Sequence, residues 1–565
     1  MRPPRALFGP GLVLLLTLVT GGWFLRQGVA QDQSAADARL FQEVVEHIAN
    51  QYVDPVDRNA LYENAINGIL TELGDPNTAL MTGETFENFR LQTEGDYGGV
   101  GLEISDRDDF ITVVSPLPST PGARAGIRAG DEIVEVDGAS TRDWPVQQAV
   151  QLLRGRPGTD VEVRIVRQGA DDPIDFTITR ERIQLFAVPF ATLLEGTIGY
   201  VPLGLFSESS TAEVRAAADS LRSAGATSLI LDLRGNPGGI LDQGVGIADL
   251  FLPAGAPVVE TRGRNGVTNG MLRASSGDRY EGMPIVVLVD RGSASASEIV
   301  AGALQDLDRA LILGASTFGK GSVQSLFSLS SGYVLKLTTA RWFTPQGRSI
   351  ERMGSGNLDL LTLTAGDSVA AAVVPEALEH LPITVTGAYV LPADTAGRPT
   401  VISVAGRTLY GGGGIVPDVL VRQDTLTTAE QEATRALFQE GGKFSLGLFS
   451  YVVEFLNERG TGNPDFEVTD ADLVELHEVL RTERELELDL PTFLVAGRIV
   501  RFELESEIAA RGWGALEGFR RTMQHDAPLQ SAIELLRGAD SPADLFTLAG
   551  RAGIATLGFS GGVGF

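Results

Sequence analysis

Between residues 284 and 307 the hydrophobic period of the chain changes from that of a strand to that of a helix. Ile285 to Val289 is an unbroken apolar run, as expected of a buried strand. Arg291-Gly292 punctuates it. From Ser295 onward Ile299, Ala303 and Leu307 recur on one helical stripe. Ser295 therefore stands where a buried strand gives way to a helix. A helix start offers unpaired backbone N–H groups and a positive dipole end, which can hold a developing oxyanion. The same residues fit a purely structural reading. Ser295-Ala296-Ser297-Glu298 matches a capping box with Glu298 at N3, and Ser293 and Ser297 compete for any special role.

A serine nucleophile needs a base, most often histidine. The chain has four histidines, at 47, 380, 477 and 525, and none lies between residues 48 and 379. No Ser-His-Asp triad is suggested. Lys320 is the alternative, flanked by Gly319 and Gly321 and following the apolar run Ala310 to Leu313. A lysine accepts a proton only when burial or neighbouring charge lowers its pKa from about 10.4 towards 7 to 8. Gly314 to Gly321 also approaches a phosphate-binding loop. It fails where Gly321 replaces the Ser or Thr that would hold magnesium, and the residues after it, Val323 to Ala340, alternate like strands. ATP binding is rejected.

The run Ser293-Ala294-Ser295-Ala296-Ser297-Glu298-Ile299, followed by Thr317-Phe318-Gly319-Lys320-Gly321-Ser322-Val323-Gln324, resembles the carboxyl-terminal processing peptidases, or tail-specific proteases. The resemblance extends from about residue 35 to 350 and returns at 411 to 420. It implies a multidomain α/β fold: a PDZ domain and a ClpP/crotonase-like α/β protease core, with helical N- and C-terminal regions. It implies Ser295 as nucleophile, Lys320 as base and Gln324 as the residue orienting that lysine. The turn Asp232-Leu-Arg-Gly-Asn-Pro-Gly-Gly239 would supply half of the oxyanion hole, so that the N–H groups of Gly235 and Ala296 form it.

Along the chain, residues 1–30 have the features of an export signal: Arg2 and Arg5, an uncharged apolar stretch from Leu7 to Leu25, and small residues before Gln31. Cleaved signal and retained membrane anchor both fit. Residues 31–93 form a helical region with the stripe Phe41, Val44, Val45, Ile48 and Tyr52. Asn77 stands where the family carries a histidine, and no role is assigned to it. Residues 94–180 resemble a PDZ domain. Gly98, Gly99, Val100 and Gly101 match the loop that holds a peptide carboxylate, Ala125-Gly126 to Asp131 matches the accompanying signature, and Val146 to Leu153 reads as a helix that would wall the groove. The protease core covers 181–351 and 411–423, around an insertion of unassigned role at 352–410. Residues 424–565 read mostly as helices, with a candidate start at Thr427-Thr-Ala-Glu430 and helical stripes at Leu494 to Ala510 and Leu529 to Leu536, ending in a glycine-rich tail expected to be mobile.

A net charge of −28 argues against nucleic acid, which needs a basic face. The absence of cysteine excludes disulfides and thiolate chemistry, and no metal or cofactor is expected. The expected partners are C-termini of unfolded or tagged proteins, a homodimer being left open, and the expected place is the periplasm or cell envelope. The expected activity is that of an exported serine endopeptidase. The alternatives are a non-catalytic PDZ-based peptide-binding scaffold and a binder of an apolar ligand on the same fold. Only the protease requires Ser295, Lys320 and Gln324 together.

Overall fold

A computed structural model describes residues 36–107, 110–167, 169–170, 172–352, 397–421, 426–439, 442–460 and 464–557. The expected export segment, most of the insertion and the glycine-rich tail lie outside these residues. The chain forms two compact units. One comprises the described residues up to Gly83 with Gln324–Thr338; the other comprises Glu84–Val323 and the residues from Thr339 onward.

The larger unit is built on a six-stranded sheet. Its strands are β1 (Thr192–Leu194), β2 (Ile198–Pro202), β3 (Ser228–Asp232), β4 (Ile285–Val289), β5 (Leu311–Gly314) and β6 (Val419–Leu420), adjacent in that order. All neighbours are parallel except β1 and β2. Parallel strands are covered on both faces, which is why β4 is apolar throughout rather than alternating. Alternate residues still point to opposite sides. Leu229, Leu231, Ile285, Val287 and Val289 pack with helices α1 (Ser210–Ser223), α2 (Leu241–Asp249) and α3 (Ala296–Asp306). Ile198, Tyr200, Ile230, Val286, Leu288, Leu311 and Leu313 form the other core.

That second core is closed by helices from the C-terminal region. Beyond α4 (Gly497–Trp513) and α5 (Ala515–Thr522), helices α6 (Ala527–Arg537) and α7 (Pro542–Leu557) place Leu529, Ala532, Ile533, Leu536 and Leu545 against the sheet. Helices α6 and α7 thus form one layer over the sheet. The earlier part of the C-terminal region has a core of its own, including Val452, Leu476, Leu480, Phe493, Val500 and Leu504. The stripe expected from Leu494 to Ala510 is split at Ala496, between Leu490–Val495 and α4.

The PDZ module is an antiparallel sheet ordered Leu102–Arg107, Phe110–Pro116, Glu132–Val136, Asp160–Val166 and Ile174–Thr179. Ile111, Val113, Ile133, Val163 and Ile165 pack with Ala149 and Leu153 of the helix Val146–Leu153. Arg180 closes that helix, its guanidinium donating to the carbonyls of Leu152 at 2.6 Å and Leu153 at 3.3 Å. The C-terminal region braces the module: Arg511 Nη1 donates to the Val114 carbonyl at 2.8 Å.

In the smaller unit, helices at 36–51 and Arg58–Glu72 accompany a strand Ala79–Met81 that pairs antiparallel with the start of Val334–Phe343. The expected stripe forms, but only Val45 is buried; Phe41, Val44, Ile48 and Tyr52 are 39–60% exposed. Among the described residues of this unit, two helices and a short ribbon provide no second layer to cover that face. Among the described residues, no helix is long and apolar enough to cross a membrane.

Candidate active site

The nucleophile candidate sits on a strained turn. Ser295 has φ 54° and ψ −113°, a backbone conformation that costs a non-glycine residue about 1–3 kcal/mol and persists only where the surroundings enforce it. Below it, Asp290 Oδ1 accepts the N–H groups of Gly292 (2.9 Å) and Ser293 (3.1 Å). Above it, the Ser295 N–H donates to Glu298 Oε2 at 2.8 Å as α3 begins. The two competing serines are committed elsewhere. Ser293 Oγ donates to the Leu233 carbonyl (2.8 Å) and Ser297 Oγ to that of Asn236 (2.9 Å), and both residues are fully buried. Ser295 alone of the three is partly exposed.

Glu298 does far more than complete a capping box. Its side chain is fully buried. Oε2 accepts the backbone N–H of Ser295 (2.8 Å) and that of Lys320 (2.9 Å), while Oε1 accepts Thr317 Oγ1 (2.6 Å) and the Gly319 N–H (2.7 Å). One carboxylate thus joins the backbone of the candidate nucleophile to that of the candidate base. Burial pushes its carboxyl up to about 6, against the opposing pull of these four donors. The Lys320 carbonyl is held as well, accepting Nε1–H of the buried Trp342 at 3.0 Å. Gly319, at φ +93°, is required there because a Cβ would stand 2.9 Å from the Gly414 nitrogen.

The two expected oxyanion donors differ. Ala296 is the first helical residue of α3, and no acceptor for its N–H exists among the described residues. The Gly235 N–H donates to Asp290 Oδ1 at 2.9 Å, so an oxyanion would have to displace that carboxylate. The residue that abuts the candidate nucleophile is Gly238. A Cβ there would lie 2.7 Å from Ser295 Cβ and 2.8 Å from the Ala296 nitrogen. The sequence reading did not single out Gly238, although a glycine pair after Pro237 is the kind of signal that marks close backbone approach.

Gln324 belongs to the smaller unit, where its Nε2 lies 3.4 Å from Thr338 Oγ1, whose residue in turn donates its N–H to Thr78 Oγ1. In the PDZ module, Gly98 and Gly99 extend a strand paired with Glu181–Gln184. The carbonyls of Val100 and Gly101 accept the N–H groups of Gly122 (2.8 Å) and Leu117 (2.9 Å). Gly101 has φ +73°, and a Cβ there would meet Thr120 at 2.3 Å. Only Val100 and Gly101 of the expected loop lie outside a strand, and they lead directly into Leu102–Arg107, the strand beside the helix Val146–Leu153.

Three family descriptions match this chain: Peptidase family S41 over residues 197–356, PDZ domain over 112–167, and activating protease CtpB N-terminal domain over 24–85. The carboxy-terminal-processing protease of Bartonella bacilliformis is 43% identical over 320 residues, covering 56% of this chain and 72% of the relative. Carboxy-terminal processing protease CtpA of Bacillus subtilis is 35% identical, covering 57% of this chain and 68% of the relative. Among solved structures, a photosystem II D1 C-terminal processing protease matches at 33% identity with a TM-score of 0.34, covering 56% of this chain and 86% of that one. The chain belongs to the carboxy-terminal-processing proteases, serine peptidases of family S41 that carry a PDZ domain.

Proposed function

We propose that this chain is an exported endopeptidase that captures substrate C-termini in its PDZ groove and cuts upstream with Ser295 and Lys320. The observation that carries the reading is the shared carboxylate of Glu298, bonded to the backbone N–H groups of both residues. Lys320, neutral at the moment of reaction, takes the proton of Ser295 Oγ as that oxygen bonds to the scissile carbonyl carbon. The carbonyl oxygen becomes an oxyanion against the Ala296 N–H and the positive end of α3. The C–N bond then breaks, Lys320 returns its proton to the leaving amine, and water hydrolyses the acyl-serine by the same steps.

In the PDZ module, Gly98 to Gly101 receive the substrate carboxylate, and the peptide extends along Leu102–Arg107 as an added strand. The arginine and apolar features of residues 1–30 support export. Cleavage of a loosely folded peptide with a free C-terminus is the test, compared with the same peptide amidated and with Ser295→Ala. Amidation is expected to raise KM about tenfold or more with little change in kcat, as removal of a charged hydrogen-bonding group does. Ser295→Ala is expected to abolish turnover. Cleavage that survives Ser295→Ala would defeat the reading.

A further inference from the structure

Arg234 occupies the turn between β3 and α2, one residue before Gly235. Its guanidinium lies between two carboxylates. Asp232 accepts from Nε at 2.9 Å and Nη2 at 2.5 Å; Asp526 accepts from Nη1 at 2.8 Å and pairs with Nη2 at 2.7 Å. The three side chains are only 7–16% exposed. Tyr200 completes the group, donating its hydroxyl to Asp232 Oδ2 at 2.7 Å and stacking on Phe519 of α5 with ring centroids 4.4 Å apart. Burial, with Asp232 beside it, pushes that hydroxyl well above its ordinary value, so it stays a donor.

The two acids act differently. Asp232 is the last residue of β3, so its pairing ties Arg234 to the sheet at the near end of the turn. Asp526 is the external anchor. It is the N-cap of α6, where its side chain also accepts the Leu529 N–H at 3.1 Å, and it lies far beyond the residues 197–356 matched to the peptidase family. The turn it holds touches the nucleophile segment directly. The Asn236 carbonyl accepts the Ala294 N–H at 3.0 Å and Ser297 Oγ at 2.9 Å, and Gly238 abuts Ser295. Glycines at 235, 238 and 239 are all at positive φ, so the turn keeps its shape through its hydrogen bonds, among them Asn236 Nδ2 to the Leu203 carbonyl at 2.7 Å and those of Arg234.

We propose that Asp526 is a positioning residue for the proteolytic reaction: through Arg234 it fixes the turn 234–239 against Ser295, so that the C-terminal helical region completes the catalytic turn. The proposal rests on the reading of Ser295 as the nucleophile. A displacement of about 1 Å at such a turn costs up to roughly a hundredfold in rate.

Asp526→Asn tests it in the full-length protein, because asparagine caps a helix as well as aspartate but carries no charge for Arg234. Expected are a fall in kcat of about tenfold or more, a KM changed less than about twofold, and a parallel slowing of fluorophosphonate labelling at Ser295. Leu529→Ala is the control. It loosens the same helix without touching the ion pair, and is expected to lower Tm while kcat stays within about twofold of wild type. Wild-type kcat and labelling in Asp526→Asn would overturn the proposal. So would losses of kcat in both variants that track their losses of Tm. A wild-type protein that neither cleaves nor labels would overturn the protease reading as well, whereas an active wild type with an equally active Asp526→Asn overturns this proposal alone.

Discussion

Ser295 keeps its strained backbone between the Asp290 turn and Glu298, whose carboxylate accepts its N–H. The folded value of Glu298, about 6, lies above the ordinary 4.5. The charged form is therefore the disfavoured one. Its contribution to stability is most favourable below pH 4.5, falls by roughly 2 kcal/mol as the pH rises to about 6, and is level beyond. Activity should run the other way, since a proton on this carboxyl removes an acceptor from the Ser295 or Lys320 N–H. The rate is expected to drop below about pH 6. Glu298→Gln turns an amide NH2 towards those donors and is expected to cost about 1–3 kcal/mol and most of the rate. Thermal melts and kcat between pH 5 and 8 check both. At Gly238, any Cβ would strike Ala294 O, Ser295 Cβ and Ala296 N while holding φ at +94°. Gly238→Ala is expected to lower kcat/KM about a hundredfold or more, by misplacing the nucleophile. The local half of the Glu298 arrangement was legible as a capping box. Its other half was not, because spacing along the chain does not reveal that the residues at 317 to 320 fold back onto the start of α3.

At the scale of elements, β4 and the groove helix Val146–Leu153 have the bounds that their hydrophobic periods predict. The Thr427 capping box likewise starts its helix. A period reveals which face is apolar but not what covers it. The stripe at Leu529 to Leu536 was readable as helix, while its seat on the back of the protease sheet was not. The N-terminal stripe was equally readable, yet in its own unit it stays largely exposed. Leu288, fully buried in the layer closed by α6, tests the seat of that helix. Leu288→Ala is expected to cost about 2–5 kcal/mol in chemical denaturation, as a cavity in a packed core does. A loss below about 1 kcal/mol would mean that α6 does not pack there in solution.

At the scale of the whole molecule, 28 surplus negative charges repel one another, and particular buried carboxyls add their own pH dependence to that general effect. Glu503 on α4 is one: burial, with the charge of Glu507 nearby, pushes its carboxyl up to about 7. Glu507 pairs at 2.7 Å with Arg511, the residue that braces the PDZ module. Because the folded value is raised, stability falls as the pH rises from 4.5 to about 7. Glu503→Gln is expected to raise stability by about 1–2 kcal/mol at pH 8 and to leave it unchanged at pH 4.5, measured by denaturant titration. The central claim is that Lys320 activates Ser295, and one measurement addresses it most directly. It is the rate of fluorophosphonate reaction across pH 6 to 10 in wild type, Lys320→Ala and Lys320→Arg, with the adduct located by peptide mass spectrometry. The account predicts an adduct on Ser295, a wild-type rate that climbs with pH as the lysine loses its proton, and a loss of about a thousandfold in both variants, since arginine stays protonated throughout. An adduct on another serine, or a Lys320→Arg rate close to wild type, would contradict it.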